Sequence, residues 1–196
     1  LFPYTTLFRS LFTQVGVDYC GPLFVKQGKS EVKRYSCLFT CLTMRAVYIE
    51  IAHTLEADSS SARISVFSVK EESPRQYTAI MAPTLLARNE SWEEHVCDRL
   101  RKDDVQWYFN STAASHQGGM WERKIRSVRK ILDALLKEQR IKDETQTTLL
   151  CVAERILDDR PLASLSDSPN NPEPLTLNKL WLRKSNTYLP LDVFKE

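Results

Sequence analysis

Two acidic residues stand where a carboxylate could do metal chemistry. Asp18 closes the apolar run Val15-Gly16-Val17 in VGVDYCGP, and Glu122 lies just inside a helical stretch in ASHQGGMWERKIRSVRK. Taken singly, a strand-end Asp serves as a cap or turn residue, and a first-turn Glu complements the helix dipole. As carboxylates they are hard oxygen donors, the type that Mg²⁺ takes, but only a fold could bring a strand end and a helix start to one point. Arg126, Arg129 and Lys130 follow Glu122 by four, seven and eight residues, a spacing that predicts a shared helical face. Residues 117–142 carry eight Lys/Arg, Lys124 among them, against three acids. Such a stripe positions phosphates without reading sequence; its competing reading is a solvated outer face. His116 has no partner at metal-ligand spacing, because His53 and His95 fall in unrelated segments. It is not expected to bind zinc.

The elements that must position these residues are legible in part. Phe12 to Tyr19 reads as a buried strand broken by Gly21-Pro22. Tyr35 to Leu42 and Ala46 to Ile51 suit two further strands, antiparallel to their neighbours. Ser59-Ser60-Ser61 offers a helix start, Tyr77 to Met81 a fourth strand, Trp92 to Lys102 a helix and Val105 to Phe109 a short strand. Trp121, Ile125, Val128, Leu132 and Leu135 recur at three- and four-residue steps, which predicts one buried face on a helix from about Gly119 to Glu138. Thr145 to Asp159 makes another helix, and the prolines from Pro161 to Pro190 predict a largely extended tail. Strands first and helices later indicate an α/β domain, a mixed sheet flanked by helices.

Composition excludes more than it selects. A net charge of +2 says little about partners, and no apolar run approaches the ~18 residues that span a bilayer. Five cysteines, odd in number and without a C-x-x-C pair, argue against a zinc site or disulfide framework and for a reducing intracellular compartment, nucleus or cytoplasm. The opening LFPYTTLFRS has no cap or periodicity, and its only base follows the apolar residues, unlike a secretory signal. The codons CTC TTT CCC TAC ACG ACG CTC TTC CGA TCT spell it, and that DNA is similar to a short-read sequencing adapter. Residues 1–10 are therefore read as a translated library scar outside the fold.

Residues 11–196 resemble the integrase core of BEL/Pao-type LTR retrotransposons. The resemblance rests on VGVDYCGP, VKRYSCLFTCLTMRAVYIEIAHTLEADS, STAASHQGGMWERKIRSVRKILDALLKEQ and EPLTLNKLWL. It implies an RNase H-like fold over residues 11–160, with three strands antiparallel and the rest parallel, and a Pro-rich extension over 161–196. It also implies three carboxylates holding two Mg²⁺, DNA ends and target DNA as partners, self-association, and 3′-processing followed by strand transfer. Asp18 matches the first carboxylate and Glu122 the last, and the likeness at ASHQGG implies that His116 shapes the loop before the helix and meets nucleic acid there. The second, expected after the fourth strand in a pattern like S-D-N-G-T, falls on Ile80 or Met81 in QYTAIMAPTLLARNE, and 73–89 contains no carboxylate. The resemblance thus implies an integrase core degenerate at one metal ligand, with Mg²⁺ binding impaired. The alternatives are a non-catalytic nucleic-acid-binding or self-associating domain, or a pseudogene product.

Overall fold

The computed structural model describes residues 12–70, 78–81, 94, 98, 106–109, 119–136, 141–162 and 174–182. Its centre is a long strand, β1 (Gln14–Gln27), buried without interruption from Val15 to Cys20. A strand covered on both faces reads as a continuous apolar run, which is why VGVDYC shows no alternation. β2 (Ser30–Cys41) returns antiparallel, and β3 (Val47–Ala52) pairs antiparallel to β2. On the other side of β1, β4 (Thr78–Met81) runs parallel beside residues 14–17, and β5 (Gln106–Phe109) runs parallel to β4. The sheet order is β3-β2-β1-β4-β5, with the two-residue β6 (Ile141–Lys142) parallel to β1 at Val25 and Lys26.

Alternation along the strands sorts side chains between two cores. Val15, Val17, Tyr19, Cys37 and Phe39 face one way, onto Ile64 and Phe67 of α1 (Ala57–Lys70) and Leu177 of a short helix α4 (Leu177–Leu182). Cys20, Leu38, Val47 and Ile49 face the other, onto α2 (Gly119–Leu136) and α3 (Asp143–Asp158). The ring of Phe67 stacks on Phe39 at 4.2 Å between centroids and receives Phe12 edge-on at 5.2 Å. In α2, Ile125, Val128 and Leu132 are buried as their spacing predicts, joined by Ile131. The side chain of Trp121 lies outside the described residues.

Two sequence expectations meet a different local answer. The strand does not stop at Gly21-Pro22: β1 continues through a bulge between Cys20 and Leu23. A bulge tolerates proline because its extra residue leaves the ladder. Gly21 is required there, since its φ is +134° and a Cβ would come within 3.0 Å of the Arg34 carbonyl oxygen. The tail is not wholly extended. Pro161 and Thr176 form a bridge, and the Asn178 amide donates to the Asp159 Oδ1 at 2.6 Å and to the Arg155 carbonyl at 3.2 Å, satisfying the C-terminal end of α3. Of the helix expected over Trp92 to Lys102, Glu94 and Asp98 are helical, and the rest lies outside the described residues.

The outer edge of β3 is closed by carboxylates. The Val47 N–H donates to Asp158 at 3.1 Å, and the Ile49 N–H donates to Glu154 at 3.0 Å. Glu154 and Asp158 are one helical turn apart and β-strand donors on one edge are two residues apart, so the two repeats match. An edge strand otherwise presents such donors to any passing strand.

Two stability predictions follow from this packing. Phe67→Ala empties the centre of the aromatic stack and is expected to cost about 3–5 kcal/mol in chemical denaturation; a loss below about 1 kcal/mol would contradict the packing described. Asp158 is buried, and burial pushes its carboxyl from the ordinary 3.8 to about 7, against the opposing pull of Lys124 and the Val47 N–H. The folded chain therefore holds that proton more tightly than the unfolded chain does. Its stabilising effect is complete below about pH 4 and is lost as pH rises through about 7. Asp158→Asn keeps an acceptor for Val47 and removes the titration. Denaturation midpoints of wild type should fall relative to the variant across that window, and parallel profiles would refute the assignment.

Candidate metal-ion and nucleic-acid groove

Asp18 reaches the groove because of register. It pairs with Leu38 on β2 and alternates with Val17 and Tyr19, which belong to the α1 face, so its carboxylate falls on the α2 face. It is 3% exposed, and its Oδ1 accepts the Tyr19 N–H at 2.7 Å. Glu122 is exposed in the first turn of α2, where a negative charge suits the helix dipole. The two line one cavity of about 270 Å³ with Tyr19, Ile125, Arg126 and Arg129. Glu122, Ile125, Arg126 and Arg129 stand at i, i+3, i+4 and i+7, a single helical face.

The basic stripe divides. Arg126 and Arg129 share the groove with Glu122, as the spacing predicts. Lys124 and Lys130 do not line it; they turn to a second cavity with Arg123 and Ser127, and Arg126 borders both. At about 100° per residue, an offset of eight residues places Lys130 some 80° around the helix from Glu122, enough to change cavity. His116 lies outside the described residues. Sequence reasoning missed Tyr19 and Ile125 as groove residues, although each neighbours a chosen residue in sequence or by one helical turn.

Burial sets the titration of the groups on β1 and β2 around Asp18. Cys20 is 3% exposed, and burial pushes its thiol to about 11, with Arg129 pulling it down and Asp18 pushing it up. Two of the groove's charges therefore act on it. Burial likewise pushes the Cys37 thiol and the Tyr19 hydroxyl upward. None of these is an anionic ligand near neutral pH.

Asp18, buried, and Glu122, exposed, are hard oxygen donors of the kind Mg²⁺ takes, and Mg²⁺ keeps most of its waters when bound by one or two carboxylates. A second ion needs a further carboxylate. β4 ends at Met81, which pairs with Val17 one position before Asp18, so the strand end nearest Asp18 is Ile80-Met81 and carries no carboxylate. Among the described residues, no group of three His, Cys, Asp or Glu side chains is placed to hold a metal ion.

The fold, with these residues placed on it, has a counterpart among solved structures. A chain of the cryo-EM structure of the simian T-cell lymphotropic virus intasome in complex with PP2A regulatory subunit B56 gamma is similar to this one, with a TM-score of 0.58 and 11% sequence identity. The match covers 92% of this chain and 57% of that chain. At that identity the likeness is one of fold. No family model matches the chain, and no curated protein matches its sequence. Among the described residues, no helix is long and apolar enough to cross a membrane.

Thiol labelling tests the burial of the strands around Asp18. Cys20, Cys37 and Cys41 are buried free thiols and Cys151 is exposed. Brief alkylation of the native chain at pH 8, read by peptide mass spectrometry, should modify Cys151 and spare the other three. Rapid modification of Cys20 would mean that β1 is open at Asp18.

Proposed function

We propose that the chain is the core domain of a BEL/Pao-type retrotransposon integrase that binds DNA in the Asp18–Glu122 groove and has lost strand transfer. One observation carries this reading: Asp18 on β1 and Glu122 on α2, far apart in sequence, line the same groove beside Arg126 and Arg129. The fold shared with a chain of an intasome complex supports it, as do the motifs around both acids. On this reading residues 1–10 stand outside the domain, and 161–196 extend it.

Each side chain has a role that its chemistry permits. Asp18 and Glu122 would hold one Mg²⁺, which supplies Lewis acidity toward a phosphoryl oxygen. Arg126 and Arg129 clamp backbone phosphates, favoured over lysine by their planar fork of donors. Lys124 and Lys130 extend the basic surface along α2, and His116 shapes the loop leading into it. Clamping both the attacking and the leaving oxygen requires a second ion, hence a third carboxylate at the end of β4. The Ile80-Met81 pair offers none. A DNA-binding, non-catalytic integrase derivative is therefore the form of the proposal that the residues support best, with self-association and a nuclear or cytoplasmic setting as its context.

The test joins catalysis to binding. An oligonucleotide strand-transfer assay in Mg²⁺ should give no product with the unmodified chain, whereas duplex binding by fluorescence anisotropy should be measurable and weaken steeply with salt. Arg126→Gln with Arg129→Gln should lower that affinity about tenfold. Replacing residues 77–87 with the Asp-containing segment of an intact integrase is expected to restore some transfer. Transfer by the unmodified chain would show that another group replaces the missing carboxylate. Absence of duplex binding would overturn the nucleic-acid reading.

A further inference from the structure

The flank of α2 beyond the groove holds a cavity of about 360 Å³ whose lining among the described residues, apart from Ser127, is Arg and Lys. The cations come from three separate elements. Arg45 stands in the β2–β3 turn, Arg160 just past α3, and Lys124 and Lys130 on α2 with Arg123 and Arg126. We infer that this cavity is a phosphate-binding pocket, distinct from the Asp18–Glu122 groove and joined to it through Arg126, with Arg45, Lys124 and Arg160 as its principal ligands.

Crowding of like charge is the first argument. Lys124 is half-buried, and its ammonium is held below the usual lysine range by burial and then, despite the pull of Asp158, by Arg160 and Arg45. Burial also lowers the Arg160 guanidinium. Asp158 faces this group from α3, already accepting the Val47 N–H, with Glu154 and Asp159 behind it. Six Arg and Lys side chains lining one cavity repel one another, and an anion bound among them lowers that repulsion. Tetrahedral phosphate oxygens suit several converging guanidinium and ammonium donors, with the Ser127 hydroxyl beside them.

Backbone conformation is the second argument, and it is independent of charge. Arg45 holds φ +67°, in the left-handed region where glycine or asparagine is cheaper. Its N–H is tied to the Cys41 carbonyl at 2.9 Å, so the turn itself fixes that conformation. A bulky cation kept at a strained turn position, with its side chain lining the cavity, fits selection for the side chain and not for the turn.

The phosphate has two chemical sources, a nucleic-acid backbone or a free oligophosphate. Only the first rests on the function proposed above, by a strand leaving the groove past Arg126. The experiment compares wild type, Arg45→Asn with Arg160→Gln, the groove variant Arg129→Gln, and Lys29→Gln with Lys33→Gln. The last pair removes equal charge from exposed sites at the opposite end of β2. Probes are pyrophosphate by isothermal titration and a labelled duplex by anisotropy across a salt series.

The pocket variant is expected to lose about tenfold in affinity for at least one probe, while the Lys29/Lys33 control does not. If the source is DNA, the slope of log affinity against log salt should fall by about two. A loss for pyrophosphate alone identifies a free oligophosphate. Unchanged affinity for both probes, or equal loss in the control, overturns the pocket. A duplex effect of Arg129→Gln alone leaves the proposed function standing without it. Pyrophosphate binding with no duplex binding by wild type leaves the pocket standing without that function. Asparagine relieves the turn, so Arg45→Asn alone should not lower the melting temperature, and it serves as the test if the double variant unfolds.

Discussion

Everything in this domain hangs on the register of β1. It is paired along its length with β2, flanked by β4 and β6 on its other edge, and buried on both faces from Val15 to Cys20. Its side chains alternate between two cores, so a slip of one residue against β2 would carry Val17 and Tyr19 to the α2 face and turn Asp18 into the aromatic cluster around Phe39 and Phe67. A carboxylate there would have no solvent and no cation, at a cost of several kcal/mol. The apolar pattern that holds the register thereby aims the acid. The bulge at Gly21 lets the same strand change its pairing beyond the site without disturbing the residues that define it.

α2 connects that strand to charge chemistry. One side, Ile125, Val128, Ile131 and Leu132, is committed to the core. The remaining arc is divided between a flank carrying an acid with two arginines and a flank of cations. α3 fixes the height of this helix against the sheet through Leu150, Ala153 and Leu157, and its outer carboxylates close the β3 edge. Asp158 belongs to both systems: it accepts from the edge strand while acting on Lys124 across the helix pair. Edge closure and basic surface are therefore coupled through one buried carboxyl.

What the sequence made legible follows from how far each signal reaches along the chain. The α2 face was readable because its spacing is local, Glu122 because it stands in the first turn of that helix, and Asp18 because it follows an apolar run, although it lies inside β1 and not at its end. α1 was hard to place because its covered side includes Ser60 and Ser61 with Ile64 and Phe67, and the Ser61 hydroxyl is satisfied by the Ala57 carbonyl at 2.6 Å. Polar residues that bond within their own helix hide its apolar period. The continuation of β1 through Gly-Pro was illegible because those residues usually end a strand. α4 lay in a proline-rich tail, and the packing of Leu177 and Asn178 that holds it is tertiary. Arg45 and Arg160 could not have been grouped with α2 from spacing alone, since only the fold brings a turn, a helix end and a helix flank together.

The groove is balanced between burial and charge. Asp18 is buried in the central strand, whereas Glu122 stands exposed on α2. Burying a carboxylate costs stability, and acids gathered at one point repel until a cation joins them. Asp18 and Glu122 have Arg126 and Arg129 beside them in the same cavity. Those guanidinium groups bring opposite charge to the two acids, and the helix that carries three of the four is held in place by the core.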